Sequence, residues 1–211
     1  MKDTKAQAAL ARRLNEYSAK LRDENGRAFG FFASLPDIRD STAAIAEISY
    51  AFDYLKADGI TLFTRYGPSN NYLGHPDLEL IWAELNRRKA VVFIHPTHPV
   101  DTNKVNPRMP QPLIDYTHET TRTAVDMITS KTLRKYPNVK VILSHAGGSL
   151  PYLLQRIGML AEDLDEMHDL FRRFYFDVAL STSDHVLKTL FNIVPHDHIL
   201  YGINPILSST Q

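Results

Sequence analysis

Apolar strand-like runs and amphipathic helix-like stretches alternate through the whole of this chain, six times over. No other feature limits its fold as much. Strands separated by helices run parallel, with the helices as crossovers packed on the sheet. The periodicity predicts helices near 5–22, 41–57, 76–88, 115–135, 150–169 and 183–192. Strands begin near residues 29, 59, 90, 139, 174 and 199, the fifth running over 174–180. Leu10, Leu14, Tyr17 and Leu21 form the apolar stripe of the first helix. Asp40 or Ser41 can cap the second, and Pro76 suits the first turn of the third. Segment 97–113 holds Pro99, Pro107, Pro110 and Pro112 and reads as a long surface loop, of the kind used as a lid or binding loop. No linker or composition shift appears, so residues 1–211 read as one α/β domain. Six parallel strands fit an open doubly wound sheet or an incomplete (β/α)8 barrel. No G-x-G-x-x-G or P-loop follows a strand, which weighs against a nucleotide-binding open sheet.

Composition narrows the function. Lys+Arg and Asp+Glu both number 24, so there is no electrostatic case for nucleic acid or an anionic membrane. Cysteine is absent, which removes disulfides, thiolate ligands and cysteine nucleophiles. A metal would fall to His, Asp, Glu or Asn. No apolar stretch approaches the ~20 residues of a bilayer span, and the start of the chain lacks the apolar segment of a signal peptide. A cytosolic (cytoplasmic) protein is expected.

Two strands deliver a histidine to the point where they stop: Val91-Val92-Phe93-Ile94-His95-Pro96, and Val139-Lys140-Val141-Ile142-Leu143-Ser144-His145-Ala146-Gly147-Gly148. Chemistry in βα barrels collects at such C-terminal strand ends. A single strand-end histidine is more often a satisfied core residue, but two on parallel strands suggest one shared metal or proton-transfer site. His98, at the mouth of the Pro-rich loop, and Arg65, just past a strand end, are the weaker candidates for substrate contact. Asp177 lies within a strand, placed either to point into the barrel or to pair with a basic neighbour, structural use being the more common, and His75 before Pro76 reads as a helix cap. Ser144 and His145 are adjacent, so their side chains diverge and do not form a nucleophile pair.

With these elements in register, the chain resembles the amidohydrolase-related metal-dependent decarboxylases, the aminocarboxymuconate-semialdehyde decarboxylase family, and within it the fungal 6-methylsalicylate-type enzymes. The carrying residues are Phe29 to Pro36, Tyr72-Leu73-Gly74-His75-Pro76, Val92 to Pro96, Thr120-Thr121-Arg122, and Tyr136 to Tyr152. The resemblance implies a (β/α)8 barrel with a divalent metal, zinc or manganese. An H-x-H pair on strand 1, a histidine on strand 5 and an aspartate on strand 8 hold that metal. A strand-6 histidine serves as ligand or acid/base. His95 matches the strand-5 ligand and His145 the strand-6 histidine, so the six strands correspond to strands 3 to 8. Two departures stand out: no H-x-H precedes residue 29, and Asn204 stands where the strand-8 aspartate is expected.

The resemblance therefore implies a carboxy-lyase of secondary metabolism acting on a small aromatic (o-hydroxybenzoate or polyketide-derived) acid, with His95 on the metal and His145 on proton transfer or metal. The departures imply a barrel truncated at both ends, weak zinc binding, and open sheet edges that invite a homo-dimer or other association. The alternatives are a metal-dependent hydrolase on the same scaffold, and a non-catalytic remnant that associates with a full-length homologue.

Overall fold

The computed structural model describes residues 3–26, 28–159 and 163–203. Among the described residues, six strands form one sheet in sequential order, every neighbouring pair parallel. They are β1 (Phe32–Ser34), β2 (Gly59–Phe63), β3 (Val91–His95), β4 (Lys140–Leu143), β5 (Phe174–Asp177) and β6 (Ile199–Leu200). Sequential order in an all-parallel sheet is the ordering of a (β/α) barrel rather than of a doubly wound sheet, whose strand order reverses at a switch point.

The helices are α1 (Thr4–Glu24), α2 (Ser41–Asp53), α3 (Glu79–Arg87), α4 (Asp115–Thr129), α5 (Thr132–Lys135), α6 (Leu150–Gly158), α7 (Leu164–Arg172) and α8 (Asp184–Ile193). Asp40 caps α2 by accepting from the Ala43 N–H, and His75 Nδ1 accepts from the Asp77 N–H at a 3-10 turn ahead of α3. No helix among the described residues is long and apolar enough to cross a membrane.

Alternation along the strands divides the sheet into two faces. Ala33, Ile60, Leu62, Val92, Ile94, Val141, Leu143, Phe174 and Phe176 are buried under the helices. Phe171 packs on Phe176 there at 5.5 Å between ring centroids. The opposite face carries Phe32, Thr61, Phe63, Phe93, His95, Ile142, Tyr175 and Asp177, all at least partly exposed. That second face corresponds to the inside of a barrel. His95 and Asp177 stand on it because each is an even number of residues from its exposed strand-mates.

Several boundaries differ from the sequence expectation. The helix expected over 150–169 is two helices: Asp163 caps α7 through the Glu166 N–H, and an added Cβ at Gly158 would lie 2.5 Å from Leu164, so α6 and α7 meet closely there. The helix expected over 115–135 breaks at Lys131, which adopts a left-handed φ of 60°. β5 stops at Asp177, not 180, because the Asp177 carboxylate bends the chain after it.

The largest difference is in α1. Leu10, Leu14, Tyr17 and Leu21 are 48, 47, 60 and 40% exposed, whereas Ala11, Asn15 and Ala19 face the sheet. The small residues let the helix lie close, and Asn15 does more than fill space. Its amide donates to Ser34 O at 2.9 Å and accepts from Ser34 N–H at 2.8 Å. Phe31 O bonds β2's side through Asp58 N, so Ser34's peptide groups point the other way, out of the sheet edge. Asn15 therefore stands in for a neighbouring strand, and its own amide is held by Glu47, which pairs with Arg12 at 2.9 Å. The sheet edge expected to be open at β1 is closed at this peptide.

Candidate active site at the strand ends

β3 and β4 lie side by side, with Ile94 opposite Leu143, so the two chains leave the sheet together. His95 is the last residue of β3. His145 follows β4 by two residues and opens a tight turn in which His145, Ala146, Gly147 and Gly148 all have positive φ, at 54, 56, 74 and 63°. Two consecutive non-glycine residues in that region are backbone strain held by the surrounding packing, a condition that gathers at functional sites. Ala146 is buried, and an added Cβ on Gly147 would meet Phe176 at 2.8 Å.

The turn brings the His145 ring to 6.1 Å from the His95 ring, centroid to centroid, nearly edge-on at 71°. Each ring is oriented by a backbone carbonyl: His95 Nδ1 by Pro96 O at 2.9 Å, His145 Nδ1 by Ala179 O at 3.0 Å. A carbonyl only accepts, so both histidines carry a proton on Nδ1, and in the neutral imidazole Nε2 is the bare nitrogen. Burial lowers the His95 pKa, and the neighbouring His145 adds to this against the opposing Pro96 contact, so His95 is neutral near pH 7. Ser144 Oγ is buried and makes no hydrogen bond to His145.

Tyr116, near the start of α4, joins the site. Its ring lies 6.4 Å from His95 and 5.6 Å from His98, both edge-on, and burial raises its pKa. Nothing in the sequence marked Tyr116, because it enters from a helix start beyond the Pro-rich loop. His98 is exposed and neighbours Tyr116, which in turn neighbours His95.

Arg65 is held away from solvent by its own loops. Nη1 donates to Gly67 O at 2.9 Å and Nη2 to His98 O at 2.5 Å. Nε lies 3.4 Å from Glu119 Oε2, near enough for ionic attraction but not aligned as a hydrogen bond, so both atoms lack a hydrogen-bond partner. Glu119 is 2% exposed and accepts from Tyr72 OH at 2.9 Å. Burial first, then this carboxylate, pushes the Tyr72 pKa up to about 12. Arg65 thus fastens the segment after β3 through His98 O, and Glu119 was not marked in the sequence because on α4 it looks like any polar helix residue. Asn204 lies outside the described residues.

The two bare Nε2 atoms are suitable donors for a divalent metal. Among the described residues no three His, Asp or Glu side chains gather closely enough to hold one. A catalytic zinc normally takes three protein ligands, so the described donors do not complete such a site.

Parallel strands in sequential order, with paired histidines at their C-terminal ends, define a (β/α)-barrel scaffold with one histidine-bearing rim. The chain belongs to the amidohydrolase family, whose profile matches residues 1–204. It is 51% identical over 207 residues to the 6-methylsalicylic acid decarboxylase of Penicillium expansum, covering 94% of this chain and 64% of that protein. It is 50% identical over 212 residues to a 6-methylsalicylic acid decarboxylase of Aspergillus aculeatus, covering 95% and 64%. The chain therefore spans less than two thirds of these curated relatives. A solved amidohydrolase II superposes with a TM-score of 0.88 at 32% identity, covering 95% of this chain and 66% of that one. A 2,6-dihydroxybenzoate decarboxylase superposes at 0.86 and 22% identity, covering 98% and 69%, a likeness of fold. The fold is accordingly a partial (β/α)8 barrel, one of the two architectures the alternation allowed and the one the resemblance implied.

Proposed function

We propose that this chain carries the proton-transfer part of a carboxy-lyase site for a small aromatic acid of the o-hydroxybenzoate type. The observation that supports it most is the His95–His145 pair, 6.1 Å apart with both tautomers fixed. The names of the relatives at about 50% identity point the same way. In this reading protonated His145 gives its Nε2 proton to the ring carbon that bears the carboxylate. The ring loses aromaticity, the bond to the carboxylate breaks, and CO2 leaves as the ring recovers its electrons. The imidazole keeps its Nδ1 proton on Ala179 O throughout and regains the other from solvent. His98 and Tyr116 border the same space and contact the substrate; Arg65 acts on it only by holding the His98 backbone. His95 offers its Nε2 to a zinc or manganese ion, as His145 would only in place of proton transfer, and weakly, because two donors are too few.

The exposed α1 stripe favours a second element of the reading, that the working species is an assembly, a homo-oligomer or a complex with a full-length homologue. One preparation tests these statements. CO2 release from 6-methylsalicylate is expected, and His145→Ala lowers it by about 10²–10⁴-fold, the usual worth of a positioned acid or base. Ester, lactone or amide cleavage without CO2 would replace the carboxy-lyase by a hydrolase. Light scattering is expected to give more than one chain per particle. Dialysis is expected to strip the zinc; near-stoichiometric retention would mean that further ligands exist.

A further inference from the structure

We propose that Asp177 is a positioning residue for His145, acting through the Ala179 turn to fix which imidazole nitrogen is free. Asp177 ends β5 on the open face of the sheet, the face that also carries His95. Its Oδ1 accepts from the Ala179 N–H at 2.6 Å, an Asx-type turn that halts the strand. Two further bonds set the turn: Val178 N–H donates to Leu200 O at 3.1 Å and Ser181 N–H to Val178 O at 3.0 Å. Leu180 takes a left-handed φ of 58° to complete it. The outcome is an Ala179 carbonyl aimed at His145 Nδ1, 3.0 Å away and 34 residues distant in sequence.

A second observation concerns the carboxylate itself. A Cβ added to Gly202 would fall 2.2 Å from Asp177 Oδ2 and 2.5 Å from its Cγ. The backbone after β6 therefore closes against the carboxylate, and the absence of a side chain at 202 leaves room for it. Asp177 lies between Gly202 and the Ala179 N–H. The relay is Gly202 to Asp177 to Ala179 to His145, built from β5, β6 and the turn after β4. It uses geometry rather than charge, since the Ala179 N–H and C=O belong to different peptide groups. Released from the carbonyl, the imidazole is free to carry its proton on either nitrogen, and only one form presents Nε2 as acceptor or ligand. That this matters to catalysis rests on the carboxy-lyase reading; the tautomer itself does not.

The test reads the tautomer directly. The full chain, ¹⁵N-labelled at histidine, is studied by long-range ¹H–¹⁵N correlation at about pH 8.5, where histidine is neutral. The His145→Gln spectrum identifies the His145 signals. In the parent chain His145 is expected to show protonated Nδ1 and bare Nε2, without averaging. Asp177→Ala is expected to move it to a mixture of tautomers. Asp177→Asn keeps an oxygen acceptor for the Ala179 N–H and is expected to restore the parent pattern. Gly202→Ala, which displaces the carboxylate, is expected to resemble Asp177→Ala and carries the test should that variant fail to fold. Unmixed Nδ1–H in folded Asp177→Ala or Gly202→Ala would overturn the proposal. So would equal mixing in the Asn and Ala variants, which would make charge the cause. The expected tautomer shift in a chain that releases no CO2 would remove the carboxy-lyase reading and leave the relay standing.

Discussion

Gly148→Ala is expected to lower the melting temperature by on the order of 10 °C and to disturb the His145 turn. Gly148 has φ 63° and ψ −125°, a conformation that only glycine adopts readily. A Cβ there would lie 2.1 Å from the Thr117 carbonyl oxygen and 2.9 Å from Thr121 Oγ1. The first neighbour is helix backbone, within α4, and cannot swing aside as a flexible side chain could. Thr121 Oγ1 is itself committed, donating to Thr117 O at 2.8 Å and accepting from the Ser149 N–H at 2.8 Å. Strain of about 1–3 kcal/mol and overpacking of about 1–3 kcal/mol add to about 2–6 kcal/mol, a large part of a typical domain's stability. Gly26→Ala is the control. That residue also has positive φ, at 62°, but an added Cβ meets nothing within 4 Å. It carries the conformational cost without the clash, so its melting temperature falls by much less. Equal losses in the two variants would show that the contact with α4 contributes nothing.

The same glycine shows how far the sequence could be read. Gly147-Gly148 follows a strand-end histidine, and the structure brings Gly148 close to α4, at Thr117, 31 residues upstream. Alternation set the sheet and its parallel sense, because periodicity is local and survives in the sequence. The His95–His145 convergence followed from strand adjacency. Asn15, Glu119 and Tyr116 were not legible, since each works through a partner far along the chain and sits in a helix where polar residues are ordinary. The α1 stripe was legible as a pattern, but its direction was not: Leu10, Leu14, Tyr17 and Leu21 lie outward, and Ala11, Asn15 and Ala19 make the close approach to β1. Size, not hydrophobicity, decided which face turned inward.

Glu119→Ala is expected to cost about 3–5 kcal/mol, the range for removing one partner of a buried ion pair. The Arg65 side chain is 11% exposed and that of Glu119 3%, so water does not replace what is lost. Truncation leaves Tyr72 OH without its carboxylate acceptor and the Arg65 charge without its counterion. The guanidinium keeps its backbone contacts to Gly67 and His98, and no aligned Nε hydrogen bond is lost, so the loss is the electrostatic one. Two further variants separate charge from shape. Glu119→Gln preserves the volume and an acceptor for Tyr72 but not the charge, and is expected to fall between parent and Ala. Arg65→Met combined with Glu119→Leu removes both charges and leaves apolar volume, and is expected to be more stable than Glu119→Ala alone, because an unpaired buried charge is costlier than no charge. Urea midpoints for the four chains give the order. If the double variant proves the least stable, the interaction between Arg65 and Glu119 is worth more than its desolvation, and Arg65's hold on the His98 carbonyl becomes the main support of the rim beside His95.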